Sequence, residues 1–253
     1  RPLHVDQDFA LEAKRRGVPV WSFINNWDAL TTKAAMYPMP DRVFCWNVFQ
    51  ENELIKYHGV APEKIMKVGA FSFERWLEPR RATPRREFCK KWGLDEMRPI
   101  ITYLSSSNSI AGDEIDGVTQ FAGYATGRRE QVVVRAHPDK ADKLAQIKGV
   151  TCIPKAGENP TDEEATQLAW DTYYHSKEIY GINTSAMIDA MLVGRPVFGI
   201  NINRVEVTTK CLHYQQLEPY LDGEGYKVIR KWLGIGDRLP SDLIAEAIKC
   251  YNK

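Results

Sequence analysis

Residues 179–200 read IYGINTSAMIDAMLVGRPVFGI, and this stretch decides the fold. The short apolar run at 179–182 predicts a strand, and the apolar residues of 185–193 predict a helix that is buried on most sides. Gly194 is typical of a residue that ends a helix, and 197–200 predicts a second buried strand. The stretch therefore predicts a strand, a helix and a strand of a parallel α/β sheet.

The start of this helix carries its polar residues. Asn183 and Thr184 are good caps because their side-chain oxygens can accept the free amides of the first turn. Ser185 and Asp189 lie four residues apart, hence on one face of the helix. A helix that opens directly from a parallel strand presents free amides and a positive dipole end to an anion. These residues predict an anion site, although a well-capped helix without any ligand explains them too.

Composition limits the kinds of protein that fit. With 253 residues and a formal net charge of +1, the chain has room for one or two domains and no strong field toward nucleic acid. We find no signal peptide and no apolar run of the roughly 18 residues that a membrane helix needs. The five cysteines lack CxxC spacing, which argues against a zinc site or a disulfide framework. We expect a reducing, cytoplasmic location, no metal and no nucleic-acid partner.

Upstream of this stretch, the chain alternates between predicted strands and helices. In the first part we predict helices at 9–16 and 49–58, strands at 18–24, 41–46 and 65–68, and a polar loop at 25–33 (NNWDALTTK). In the second part we predict helices at 87–92, 113–125, 140–147, 162–175 and 241–251 (the last capped by Ser241), and strands at 99–104, 131–136, 150–153 and 226–229. This alternation predicts two Rossmann-like, doubly wound parallel sheets.

A boundary between the two parts is predicted at 77–86 (LEPRRATPRR), because prolines and arginines are typical of a linker. We therefore predict a short first domain at 1–80 and a second domain at 81–253. The basic residues near the boundary are expected to form a solvated linker and helix face.

Three predicted strands of the second domain end in polar turns. Ser105, Ser106 and Ser107 follow the strand at 99–104, His137-Pro138 follows the strand at 131–136, and Asn183, Thr184 and Ser185 follow the strand at 179–182. The carboxyl ends of parallel strands lie along one edge, so hydroxyls, an imidazole and a helix start are expected to face one crevice. A serine run is commonly a loop and a His before Pro commonly a turn residue. Their placement at three strand ends predicts a crevice for a phosphate or pyrophosphate.

These residues resemble the donor-binding domain of GT-B glycosyltransferases, in particular the bacterial sialyltransferases, the Kdo transferases of capsule assembly and the glycerophosphotransferases of teichoic acid synthesis. VVVRAHP resembles their HP motif, which implies that Arg135 and His137 contact the donor phosphate. NTSAMIDAMLVGRPV resembles their Ser/Thr motif and also the helix start of the UDP-GlcNAc 2-epimerases. In the epimerases an acidic residue at the position of Asp189 holds the ribose hydroxyls.

The first domain is similar to the last β/α units of a GT-B acceptor domain. It is shorter than such a domain and the sequence starts at Arg1-Pro2 without a methionine, so we expect the opening strands to be missing from it. The pair of acidic residues followed by Gly that supplies the general base in the sialyltransferases has no convincing match here. Asp28, in the loop after the first strand, is the best substitute. Its alternative role is to cap the turn at 29–33.

The first hypothesis is an inverting transferase that uses no cofactor, and metal independence is expected because no DxD-type pair of carboxylates is apparent near these turns. A sugar or glycerophosphate would pass from a nucleotide-activated donor, such as a CMP-, CDP- or UDP-sugar, to a hydroxyl of a glycan or lipid-linked acceptor in polysaccharide synthesis. Asp28 would take the proton, while His137, the hydroxyls of 105–107 and the amides at 184–185 would stabilise the leaving phosphate. The inner face of the membrane and a polysaccharide-assembly partner are expected. The alternatives are a nucleotide-sugar epimerase or hydrolase, and a non-catalytic nucleotide-binding module.

Overall fold

A computed structural model describes residues 5–32, 35–158, 160–182, 184–200 and 216–251, which form two compact units. The first unit consists of Arg1–Arg75 together with Arg230–Lys253, and the second of Trp76–Ile229. This division differs from the predicted one at 80/81, because the tail returns to the first unit. There Asn47 Nδ2 donates to the Trp232 carbonyl oxygen at 2.5 Å.

The first unit is a three-stranded sheet with helices. Its elements before the boundary are α1 (Val5–Arg15), β1 (Trp21–Phe23), α2 (Ala29–Thr32), β2 (Arg42–Cys45), α3 (Val48–His58) and β3 (Ile65–Lys67). The strands are parallel in the order β1-β2-β3. β2 lies in the middle, and its residues Val43, Phe44 and Cys45 are fully buried. Asn47 caps α3 by accepting from the Gln50 amide, and Gly59 ends that helix with a φ of 65°.

The second unit is a five-stranded sheet covered on both faces. Its elements are α4 (Arg85–Trp92), β4 (Ile100–Leu104), α5 (Asn108–Ala111), α6 (Ile115–Gly127), β5 (Gln131–Arg135), α7 (Ala141–Leu144), β6 (Val150–Cys152), α8 (Asp162–His175), β7 (Ser176–Gly181), α9 (Ser185–Leu192) and β8 (Val197–Gly199). All strands are parallel, in the order β6-β5-β4-β7-β8. The prediction of two Rossmann-like parallel α/β parts is confirmed. After β8 the chain continues to α10 (Ile229–Trp232) and α11 (Pro240–Tyr251).

The central strands are apolar on both faces, as expected for a parallel sheet between helices. All five residues of β4 are buried. Ile101 and Tyr103 belong to a core cluster with residues of α6 and α7, whereas Ile100 packs in a cluster with residues of α4. This core fixes the carboxyl ends of β4, β5 and β7 relative to each other.

The predicted strand at 226–229 is wrong. Residues Gly225–Lys227 form a 3-10 turn, and α10 follows at once. The outer edge of β8 is instead bordered by an earlier segment, since the Gly199 amide donates to the Leu221 carbonyl and the Gly223 amide donates to the Val197 carbonyl. Of these four residues Ile229 is buried, whereas Val228 is 49 % exposed.

Two further predictions differ from the structure. Ser241 does not cap α11, because the helix begins at Pro240 and the Ser241 hydroxyl donates to Glu74 Oε1 at 2.6 Å. The segment at 77–86 is not a freely solvated linker. Its Thr83 amide and hydroxyl both donate to the buried carboxylate of Asp171 in α8, and Arg80 pairs with Glu163 at 2.5 Å.

Among the helices that the structure describes, none is both long enough and apolar enough to cross a membrane.

Candidate ligand site at the carboxyl edge of the five-stranded sheet

The strand order of the second unit reverses between β4 and β7. From β4 the chain moves outward through β5 to β6, and it then returns to the other side of β4 with β7 and β8. In open α/β sheets the connections on the two sides of such a point diverge, so a crevice opens outside the carboxyl ends of the two central strands. The polar turns after β4, β5 and β7 all follow strand ends at this edge.

The serine turn after β4 is largely buried. Ser105 is 5 % exposed and Ser106 is 0 % exposed, while Ser107 is half-buried and stands at the N-cap position of α5. The Ser105 hydroxyl oxygen accepts from the His137 amide at 3.0 Å, and the Ser105 amide donates to the Arg135 carbonyl. Ser105 therefore joins the serine turn to the turn after β5. Of the three serines, Ser107 is the most accessible to a ligand.

His137 lies in the turn after β5, where it caps the 3-10 turn Pro138–Lys140. Its Nδ1 lies 3.4 Å from the Asp139 amide and 3.2 Å from Asp139 Oδ2, and its side chain is 37 % exposed. Within the described ranges Nε2 has no hydrogen-bond partner. The ring is thus held from one side and can donate or accept on the other.

Arg135 ends β5 with its guanidinium 5.7 Å from the centre of the Tyr173 ring. Its Nη1 is buried and makes no hydrogen bond to any residue that the structure describes. A buried guanidinium nitrogen without an acceptor is costly, because it has lost water without gaining a partner. An anion bound at this edge would supply the acceptor that Arg135 Nη1 lacks among the described residues.

The start of α9 matches its predicted position. Thr184 is the N-cap, in an extended conformation, but its side chain makes no capping hydrogen bond. Ser185 and Asp189 are half-buried and one turn apart, whereas Asn183 lies outside the described residues. Gly181 at the end of β7 allows α9 to pack closely, since a Cβ there would lie 3.0 Å from Met187 Sδ and 3.2 Å from the Leu104 carbonyl oxygen.

A buried ion pair with a nearby arginine such as Arg195 would give Asp189 a structural role instead, and Arg195 does not form this pair. The Arg195 guanidinium lies 5.0 Å from the centre of the Tyr174 ring, and its buried Nε has no partner within the described part of the chain. Burial lowers the pKa of Arg195.

Asp28 belongs to the first unit. It directly precedes α2, and its carbonyl oxygen accepts from the Thr31 amide and hydroxyl at 3.2 and 3.4 Å. The loop that carries it is held by the residue after β2 and by α3, because Trp46 Nε1 donates to the Ile24 carbonyl and Gln50 Nε2 donates to the Asn26 carbonyl. These contacts place Asp28 at the start of α2, as its alternative role requires, and its role as a base stays a prediction.

The sequence analysis did not predict a buried cluster of charged residues that contacts these turns. Glu114 is 0 % exposed and accepts from the Tyr103 hydroxyl, from Lys140 Nζ at 2.5 Å and from the Ser106 amide at 3.4 Å. Burial and the neighbouring Glu114 carboxylate raise the pKa of Tyr103. Nothing in a DE dipeptide or in a Lys three residues after a His indicates burial, so the sequence held no usable signal. Within the described ranges, no group of three or more His, Cys, Asp or Glu side chains is placed to hold a metal ion.

Comparison of the whole chain with solved structures finds similar folds. UDP-GlcNAc 2-epimerase from Neisseria meningitidis, bound to UDP-GlcNAc, is 14 % identical, with a TM-score of 0.55 over 94 % of this chain and 72 % of that one. The S. aureus MnaA–UDP complex is 12 % identical, with a TM-score of 0.61 over 95 % of this chain and 70 % of that one. UDP-GlcNAc 2-epimerase from Methanocaldococcus jannaschii is 12 % identical, with a TM-score of 0.55 over 95 % and 72 %.

The fold is of the GT-B type. No protein-family model matches the sequence, and comparison with curated protein sequences finds no match. At 12–14 % identity these structures establish the fold of the chain and leave its activity to be argued from its own residues.

Proposed function

We propose that the chain is an enzyme of nucleotide-activated sugars whose second unit binds the donor at the carboxyl edge of the five-stranded sheet. The observation that supports the proposal is that the serine turn, Arg135 with His137, and the start of α9 stand at the ends of β4, β5 and β7, which are neighbouring strands of one parallel sheet. Phosphate groups bind where backbone amides, a helix start and cationic side chains meet. This edge offers all three.

Each residue of the edge has a proposed role. Arg135 neutralises the donor phosphate, His137 Nε2 donates to a phosphate oxygen, and the amides at 184–185 face the same group. Ser105 and Ser106 act through the shape of their turn, since their side chains are buried, and Ser107 contacts the ligand. Asp189 accepts from the ribose hydroxyls. Such preorganised donors stabilise the charge that develops on a leaving phosphate, commonly the largest single contribution to catalysis.

The reaction that we propose is transfer of a sugar or glycerophosphate from a CMP-, CDP- or UDP-linked donor to a hydroxyl of a glycan or lipid-linked acceptor. Asp28 of the first unit is the proposed base. No cofactor is required in this scheme. Two of the similar structures hold UDP and UDP-GlcNAc, which supports a nucleotide ligand for this fold. A cytoplasmic location beside the membrane, with other polysaccharide-assembly proteins, fits such a donor and acceptor.

Epimerisation of a nucleotide sugar is the second candidate. It is favoured by the similarity of the fold, over nearly the whole chain, to UDP-GlcNAc 2-epimerases. The same donor edge would serve, with the carbons of the sugar as reactant in place of an acceptor hydroxyl.

Product analysis separates the candidates. The purified chain is incubated with CMP-, CDP- and UDP-sugars, with and without a glycan acceptor, and products are identified by NMR and mass spectrometry. A product that requires the acceptor supports transfer, and a C2 epimer formed without acceptor supports epimerisation. If the donors stay unchanged although the chain binds nucleotides tightly, the chain is a nucleotide-binding module, and the proposal that it is an enzyme is contradicted.

A further inference from the structure

The carboxylate of Glu114 connects the end of β4 and its serine turn to the turn after β5, next to the proposed donor edge. It accepts from the hydroxyl of Tyr103 in β4, from the amide of Ser106 in the serine turn, and from Nζ of Lys140 three residues after His137. Glu114 is 0 % exposed and Lys140 is 4 % exposed, so both charges are withdrawn from water. Neither side chain carries a role in the proposed chemistry.

A stabilising role alone does not account for this cluster. Burying two opposite charges costs desolvation energy that their attraction commonly only balances, so well-packed apolar residues often serve stability as well or better. Glu114 also stands at the N-cap position of α6, but its side chain makes no capping bond to that helix. Its oxygens are directed instead to the serine turn and to Lys140.

A second connection between the same two turns lies at Ser105. The His137 amide donates to the Ser105 hydroxyl oxygen, and the Ser105 amide donates to the Arg135 carbonyl. The turns after β4 and β5 are thus joined at their bases by Ser105, and further along by the Glu114–Lys140 pair. Removing the carboxylate would take away an acceptor of the Ser106 amide and of Lys140 Nζ together.

We propose that Glu114 is a positioning residue, which fixes the serine turn and the His137 turn in the one geometry that binds the donor phosphate. The inference rests on the proposed function for its ligand, but its structural part stands on the contacts alone. Glu114 acts through Ser106 and Lys140 and touches no substrate. The fully satisfied carboxylate makes the turns rigid before the ligand arrives, which reduces the ordering cost of binding.

Two variants and one control test the structural part. Glu114→Gln removes the charge, and Glu114→Gln combined with Lys140→Met also removes the ammonium that would be left alone, so it is the variant more certain to fold. The control is Glu130→Gln. Glu130 is another buried carboxylate, 4 % exposed, but it lies before β5 at the opposite edge of the sheet and pairs with Lys177 at 2.9 Å.

Amide hydrogen exchange measured by NMR is the first readout. In both Glu114 variants the amides of Ser106, His137 and Lys140 should exchange roughly tenfold faster, the change expected from the loss of one charge-assisted hydrogen bond, while Glu130→Gln leaves them unchanged. Equal exchange at these amides in the Glu114 variants and the control would overturn the inference.

The second readout is the affinity for nucleotide, measured by calorimetry with CMP, CDP, UDP and GDP as probes. The Glu114 variants should bind the tightest of these about tenfold more weakly, whereas Glu130→Gln stays within about twofold. Faster exchange with unchanged affinity would overturn the positioning role. If the wild-type chain binds none of the probes, the proposed function fails, and the exchange result still decides whether Glu114 fixes the turns.

Discussion

His137 illustrates how a single residue can be prepared for a ligand. One ring nitrogen faces Asp139, the backbone amide is held by Ser105, and Nε2 makes no hydrogen bond within the described residues. The side chain is therefore oriented by the protein and yet keeps one nitrogen for binding. Arg135, two residues earlier, adds a positive charge, and its buried Nη1 has no hydrogen-bond acceptor among the described residues.

Replacing His137 with Ala should weaken nucleotide binding by roughly tenfold or more, since a hydrogen bond to a charged group contributes about 1.5–3 kcal/mol. The side chain is 37 % exposed and belongs to none of the core clusters among the described residues, so the melting temperature should change little. Titration calorimetry measures the affinity and thermal unfolding provides the control. Unchanged affinity would remove His137 from the site.

Asp189→Asn should also cost roughly tenfold in nucleotide affinity, because a neutral amide is a weaker acceptor for ribose hydroxyls than a carboxylate. The alternative of a buried ion pair with Arg195 predicted a loss of about 3–5 kcal/mol in stability instead. Because the Arg195 guanidinium lies against the Tyr174 ring, Arg195 is not the partner in such a pair. A variant that melts far lower but binds nucleotide normally would show that Asp189 is structural.

The sequence could identify several of these residues but not their burial. His137, Ser185 and Asp189 were predicted because motif and spacing place them at strand and helix ends. The sequence gives no sign that Ser105 and Ser106 are buried or that Glu114 and Lys140 form a buried pair, because those facts depend on neighbours distant in sequence. The burial of a charge is a tertiary property, which local pattern does not encode.

At the scale of elements, α9 ends as its sequence predicts. Gly194 has a φ of 80°, in the left-handed region that favours glycine. Apart from its chain neighbours, no atom in the described part of the chain lies within 4 Å of where its Cβ would be, so a substitution there is opposed by backbone strain and not by crowding. α6 contains a glycine with the same open surroundings but an ordinary helical conformation, Gly123.

The two glycines should therefore respond oppositely to alanine. Gly194→Ala should lower the free energy of unfolding by about 1–2 kcal/mol, the cost of a left-handed conformation for a residue with a Cβ. Gly123→Ala should raise it by roughly 0.5–1 kcal/mol, because alanine loses less backbone entropy in a helix. Urea denaturation of both variants measures the difference. Equal effects of the two substitutions would contradict the assigned end of α9.

The junction between α4 and α8 contains a histidine that should make stability depend on pH. His175 is half-buried, lies 4.9 Å from the Phe88 ring and has Nε2 2.7 Å from the Thr83 carbonyl oxygen. Burial lowers the pKa of His175 below its ordinary value of 6.5. As the pH falls through 6.5, the unfolded chain gains a proton that the folded chain does not, so the free energy of unfolding decreases.

His175→Gln keeps an N–H donor for the Thr83 carbonyl but removes the titration. Between about pH 7 and pH 5, the free energy of unfolding of the variant should decrease less than that of the wild-type chain. Above about pH 7, position 175 should not contribute to the pH dependence of stability in either protein. Urea denaturation at a series of pH values provides the measurement. Parallel curves for the two proteins would show that His175 does not contribute to the pH dependence.

At the scale of the whole molecule, the alternation of strands and helices was enough to predict two parallel α/β units, because that alternation constrains topology strongly. The assignment of Arg230–Lys253 to the first unit was not predictable from the sequence. A Cβ on Gly234 would meet the Trp46 carbonyl oxygen, so glycine is needed where the tail packs against the end of β2. Such a close approach between residues far apart in sequence leaves no periodic signal.

Hydrogen exchange of the full chain, with and without a saturating nucleotide, tests the central claim most directly. At 100 times its dissociation constant, a ligand should add about 2.7 kcal/mol to the stability of the folded chain. We predict that local protection appears in the turns after β4, β5 and β7, at residues 105–107, 137–140 and 184–189. Protection confined to the amino edge of the five-stranded sheet, or no binding of CMP, CDP, UDP or GDP, would contradict the account.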